Sequence, residues 1–211
     1  EVLINDLPMA NVVQKVANFP HLEIISANSD LAGAEILLVP TVAREFRLQS
    51  ALNNFLTLKQ SAGQRFDYVF IDCPPSLGLL TINALTAADE VLVPIQCEYY
   101  SLEGLSLLLE TLGEVQKRLN PKIVLSTIVL TMFDSRTRLA GDVAENVRKH
   151  FPEQLINIPI PRAVRVSEAP SYGQTVMTYD ASSPGAIAYM SVAREISNRG
   201  GSKMSIRNES A

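Results

Sequence analysis

The sequence predicts an α/β fold: three layers, with a mostly parallel sheet and helices on both faces. Three observations carry this. Apolar runs of strand length alternate with helical patterns along the whole chain, as successive β-α-β units do. The runs within 68–72, 89–95 and 122–132 are continuous rather than alternating, as in strands buried on both faces. The first of them stops on an acid, Asp72, and Pro74 and Pro75 then force the backbone out of a ladder. In such sheets ligands bind beyond the carboxyl ends of the strands. Asp72 therefore reads as a ligand-side acid, though capping of the following turn is an equally ordinary role for Asp before Pro.

In chain order, residues 1–20 show a short apolar start and then helical spacing (Val12, Val13, Val16, Phe19), with Pro8 in the first turn and Pro20 ending it. Leu22–Ala27 reads as a strand, and Asn28, Ser29 and Asp30 as cap or turn residues before a helix over Ala32–Leu38. Pro40 breaks that helix, and a longer amphipathic one spans Thr41–Lys59. After the strand ending at Asp72, Ser76 takes the N-cap position of a helix to Ala88. Asp89–Ile95 is a buried strand. Ser101 caps a long helix ending near Asn120-Pro121, and Lys122–Met132 is the longest strand. A helix over Arg138–His150, a short strand over Leu155–Ile160, a loop over residues 162–180 and a last helix from Pro184 to about Asn198 follow. Residues 1–199 read as one domain, and residues 200–211 as a disordered polar tail.

Composition sets bounds. The 211 residues, 47% apolar and 19% charged, describe a globular protein with a sizeable core. A net charge of −4 excludes a generally basic nucleic-acid binder, so DNA contact would need a local patch. Cys73 and Cys97 are too few for a zinc site and read as small buried thiols of a reduced, cytoplasmic protein. No run reaches the roughly 18 apolar residues of a membrane helix. His21 and His150 are isolated and read as surface or cap residues, and no Ser-His-acid or Cys-His set can be assembled.

Asp72-Cys73-Pro74-Pro75-Ser76-Leu77-Gly78, the run Val93–Leu105 and the run Ile160–Gly173 together resemble the ParA/Soj partition ATPases, and Asn28–Glu35 also fits. The likeness runs in register from about residue 2 to residue 197, and three blocks at family-like spacing make it specific. MinD-type ATPases share the fold. The resemblance implies a deviant-Walker, P-loop NTPase-like protein using ATP and Mg²⁺. Asp72 would reach the metal through water, and Pro74 to Gly78 would sense the γ-phosphate. Thr131, Met132, Ile160 and Pro161 would contact the adenine, with strand-end packing as the plain alternative for all four. The family's partners are a ParB-type centromere-binding protein, non-specific DNA and a second copy, in the cytoplasm on the nucleoid. Arg162, Arg165, Arg194 and Arg199 are the DNA candidates, since residues 162–211 hold six basic residues against four acidic ones. Thr175 stands where relatives usually have proline. A MinD-like membrane helix is not expected, because the tail is too polar.

The chain departs from the family at its front. None of its ten glycines precedes a lysine, whereas a phosphate-cradling loop needs glycines, a lysine and a hydroxyl residue. The resemblance places that loop, its strand and the catalytic acid upstream of Glu1. The chain thus reads as a fragment or processed form lacking the first strand, with no catalytic residue of its own, inactive alone and poorly stable unless the missing part is supplied in trans. The alternative function is then a catalytically silent DNA- and partner-interaction module.

Overall fold

The computed structural model describes the backbone of residues 1–209 and the side chains of residues 1–200. Most of the expected tail, residues 200–211, therefore lies outside the described side chains. The fold is α/β, with a parallel three-stranded sheet and helices. Contacts group the chain into two compact units, residues 1–89 with 108–123, and residues 90–107 with 124–211.

In the first unit, α1 (Val2–Asn5) precedes an antiparallel hairpin of β1 (Gln14–Val16) and β2 (Phe19–Ile24). The helix expected over residues 8–20 is not formed. Met9–Asn11 makes a single 3-10 turn, and Asn18 takes a left-handed φ of 61° at the hairpin bend, a conformation that asparagine tolerates. The apolar spacing that suggested a helix is shared by the two short strands. Then come α2 (Asp30–Leu38), α3 (Arg47–Ser61) and α4 (Leu79–Ala87). Helix α3 starts later than expected because Ala43 turns left-handed, φ 51°, before a 3-10 turn at Arg44–Phe46. Its open amide at Leu48 is met from another helix: buried Asn83 of α4 accepts from Leu48 N at 3.1 Å and donates to Arg44 O at 2.8 Å and Leu79 O at 2.9 Å. That satisfies orphan groups at a helix start.

The expected central strand is a correction. Residues 66–77 are not in a strand and, among the described residues, make no backbone-to-backbone hydrogen bond. Tyr68, Val69 and Phe70 are exposed, Phe70 by 75%. An apolar run becomes a strand only beside a ladder partner, and no described strand pairs with it. Ser76 is likewise not the cap of α4: Gly78 holds that position, and the Ser76 carbonyl accepts from Thr81 Oγ1 at 2.6 Å.

Helix α5 (Tyr100–Arg118) contributes residues to both units, and Ser101 lies inside it rather than capping it. In the second unit, β3 (Glu90–Gln96), β4 (Val124–Thr131) and β5 (Leu155–Ile156) run parallel in that order. Ile128, Val129 and Leu130 are all at most 3% exposed, so both faces of β4 are covered, as its continuous apolar run predicts. Val129 and Ile156 pack with Ile160 and with Ala188 and Val192 of the last helix. Helix α6 (Arg138–His150) has the predicted bounds, with Thr137 as N-cap. The expected loop 162–180 instead holds α7 (Val164–Glu168), a 3-10 turn and α8 (Val176–Tyr179), and α9 is Pro184–Glu209. Thr175 makes a capping box with Thr178 at the start of α8, a role proline could not fill with its missing N–H. Among the described residues no helix is long and apolar enough to cross a membrane.

Candidate nucleotide site

The second unit brings three chain segments together at the carboxyl ends of its parallel strands. Past β3, Cys97 N donates to Thr131 O at 3.2 Å. Past β4, Met132 turns left-handed with φ 53°, an uncommon state for an unbranched side chain that marks a constrained turn. Phe133 then bridges Pro161 in parallel register. Phe133 N donates to Ile160 O at 3.1 Å, Ile160 N to Leu130 O at 2.8 Å, and Arg162 N to Phe133 O at 3.0 Å. The segment at 160–162 is thereby stitched to the end of β4.

A cavity of about 300 Å³ opens there, lined by Cys97, Glu98, Met132, Asp134, Thr137, Leu139, Ala140 and Arg162. Met132, Leu139 and Ala140 supply an apolar wall, and Glu98, Asp134, Thr137 and Arg162 supply polar edges. That size and mixture suit a small ligand. Asp134 is clamped by Arg136, which donates through Nε to Oδ1 at 2.9 Å and through a terminal nitrogen to Oδ2 at 2.7 Å. These bonds, the Arg136 amide and the nearby charge of Arg162 bring the Asp134 carboxyl down to about 2.

Of the four residues expected at the adenine, only Met132 lines the cavity. Thr131 Oγ1 donates back to Ile95 O at 3.3 Å. Ile160 is buried in the core, and Pro161 is held by the bridge to Phe133. Arg162, expected on a DNA face, sits at the cavity. Sequence reading passed over Asp134 and Thr137, although an acid and a cap residue just after a buried strand were a usable signal.

Asp72 and Pro74 lie in the first unit, exposed, on the unladdered segment. Among the described residues no three His, Cys, Asp or Glu side chains are grouped to hold a metal. A lone exposed carboxylate fits Mg²⁺ held mostly by water and phosphate oxygens, not a protein-built cage. Cys73 is exposed, against expectation, while Cys97 is buried. The Cys73 thiol is raised, first by partial desolvation and then by the charge of Asp72.

The arginines divide. Arg165 pairs with Glu168 at 3.0 Å and Asp180 at 3.5 Å and lies over the Tyr179 ring. Arg194 is exposed. Arg199 is spent on the fold: it pairs with Glu195 at 2.9 Å and donates to the carbonyls of Glu153, Gln154 and Leu155 at 3.1–3.2 Å. Its donors serve the chain leading into β5.

An AAA domain family model matches residues 1–125. The Soj sporulation initiation inhibitor of Bacillus subtilis is 48% identical over 200 residues, 95% of this chain and 76% of that protein. The chain belongs to the ParA/Soj family. The chromosome partitioning protein ParA of Myxococcus xanthus is 46% identical over 94% of this chain and 68% of its own length. Among solved structures, the ParA/Soj chain is similar to a cobyrinic acid a,c-diamide synthase from Mycobacterium smegmatis with bound ATP analog and magnesium. The TM-score there is 0.69 at 37% identity, over 90% of this chain and 66% of that one. The ParA/Soj relatives are thus partition ATPases, and ATP-type ligands with magnesium occur on this fold.

Proposed function

We propose that the chain works in DNA segregation as a ParA-type ATPase. ATP would drive two copies together, the dimer would bind DNA without sequence preference, and a ParB-type partner would stimulate hydrolysis. The observation that carries this reading is the 48% identity to Soj over 95% of the chain. The cavity beside Met132 would take the adenine, its apolar wall against the ring and its polar edges toward the exocyclic groups. Asp72 would hold magnesium through water, and the Pro74–Gly78 turn would respond to the γ-phosphate. ATP supplies the reactive phosphoryl group when bound. Arg165 and Arg194 would meet DNA phosphates. In ATP-loaded dimeric protein, Arg165→Ala is expected to weaken binding to all DNA sequences and flatten the salt slope by about 1. Unchanged binding and slope would remove the DNA face.

A second reading, the catalytically silent interaction module, is favoured by the lack of any glycine–lysine pair in the 211 residues. These residues alone are expected to give no saturable binding of a fluorescent ATP analogue at micromolar concentration. Saturation there would exclude the silent module.

A further inference from the structure

Gly78 has an extended backbone, φ −81° and ψ −171°, open to any residue. Glu35 Oε1 stands where a Cβ at position 78 would be, so a side chain there would push the carboxylate aside. Helix α2 projects that carboxylate to the start of α4, where Leu80 N donates to it at 3.4 Å. A negative group there also suits the helix end. The adjoining turn has few other holds. Among the described residues, 66–77 make no backbone-to-backbone hydrogen bond, and the Ser76 carbonyl is held by Thr81 Oγ1 at 2.6 Å. Thr81 belongs to the stretch the turn leads into. Glu35 comes from a different helix, 45 residues before Leu80.

We propose that Glu35 is a positioning residue for the Pro74–Gly78 turn. Its carboxylate fills the space a side chain at position 78 would need, docks on the first turn of α4, and ties the turn to α2. The proposal deepens the ParA-type reading: if the turn responds to a γ-phosphate, Glu35 sets the arrangement from which it responds.

The thiols report on it. Cys73 is exposed within the segment and Cys97 is buried, so a nitroxide can be attached to Cys73 in the folded protein and its spectrum follows the mobility of the turn, while alkylation of Cys97 follows global unfolding. Glu35→Ala is expected to raise the ratio of mobile to immobile label roughly fivefold, the ratio that one net hydrogen bond sets on a local opening. Cys97 should stay protected. Glu35→Gln keeps an acceptor oxygen and should restore most of the original spectrum. Gly78→Ala pushes the carboxylate aside, so it should match Glu35→Ala, and the double variant should be no more mobile than either single one. Equal label mobility in wild type and Glu35→Ala, additive mobility in the double variant, or Cys97 alkylation rising in step would each overturn the proposal. If Gly78→Ala does not fold, the Glu35→Ala and Glu35→Gln pair decides alone. The Cys73 label pattern with a silent Arg165→Ala would fail the DNA face and keep the latch, and the reverse pattern would fail the latch alone.

Discussion

Arg136 grips both carboxylate oxygens of Asp134, at 2.9 and 2.7 Å, two residues along the chain from it. The clamp fixes the carboxylate of Asp134, which lines the cavity. Asp134 titrates at about 2, below the ordinary carboxylate value of about 3.9. A depressed folded value means that the stabilisation is present above about pH 4 and is lost as pH falls toward 2. A carboxyl ¹³C titration should show the Asp134 midpoint near 2. In Arg136→Ala the midpoint should rise toward the usual range, and an unmoved midpoint would refute the clamp.

Asn120 closes the first unit in a different way. Its side-chain amide donates to Leu85 O at 3.0 Å, Thr86 O at 3.2 Å and Ala88 O at 2.7 Å. One buried group thus satisfies the carbonyls at the end of α4. Asn120→Ala leaves them short of a donor and should cost about 2–3 kcal/mol in urea unfolding. Asn120→Asp should cost more, since a carboxylate would then face carbonyl oxygens. A loss below about 0.5 kcal/mol for both would contradict this.

Arg199 and Arg165 should separate stability from binding. Arg199→Met removes donors to three carbonyls and should lower stability by about 2 kcal/mol. Its effect on DNA affinity should be small in protein that remains folded. Arg165 is more than half exposed in its ion pairs, and such pairs contribute little. Arg165→Ala should therefore leave the melting temperature nearly unchanged while altering the salt slope. Swapped outcomes would reverse the two roles.

Lys59 and Glu23 pair at 2.8 Å with side chains only 17% and 15% exposed. The ammonium also lies 5.4 Å from the Phe55 ring centre and 5.6 Å from that of Phe66. Among the described residues Glu23 Oε2 is buried without a hydrogen-bond partner, and Lys59 is the cation paired with this carboxylate. Lys59→Met should destabilise by about 3 kcal/mol at neutral pH. A loss below about 0.5 kcal/mol would mean that the pair does not hold this carboxylate in place.

Much of the second unit was legible from sequence for a local reason. The bounds of α6, the strand positions of β3 and β4 and the start of α9 follow from apolar periodicity and a proline at N1. Each signal acts within a few residues. The stretch 162–180 reads as a loop because its helices are each a turn or so long, too short to show a period. The 8–20 stretch misleads because two short strands and a bend can copy helical spacing. At the candidate site the sequence pointed to the strand end at Met132 but not to Asp134, whose place depends on the segment 160–162 folding back against it.

By itself, the sequence determined the alternation of helices and strands, the covering of β4 on both faces and membership of the ParA/Soj family, because these rest on residue pattern and identity along the chain. Tertiary structure alone decided that residues 66–72 run without a ladder, that Arg199 serves the backbone, and that Glu35 stands against Gly78. Each of those outcomes depends on which distant group arrives beside a residue. A ladder, a carbonyl cluster and a filled space are properties of pairs, and no single stretch of chain contains both partners.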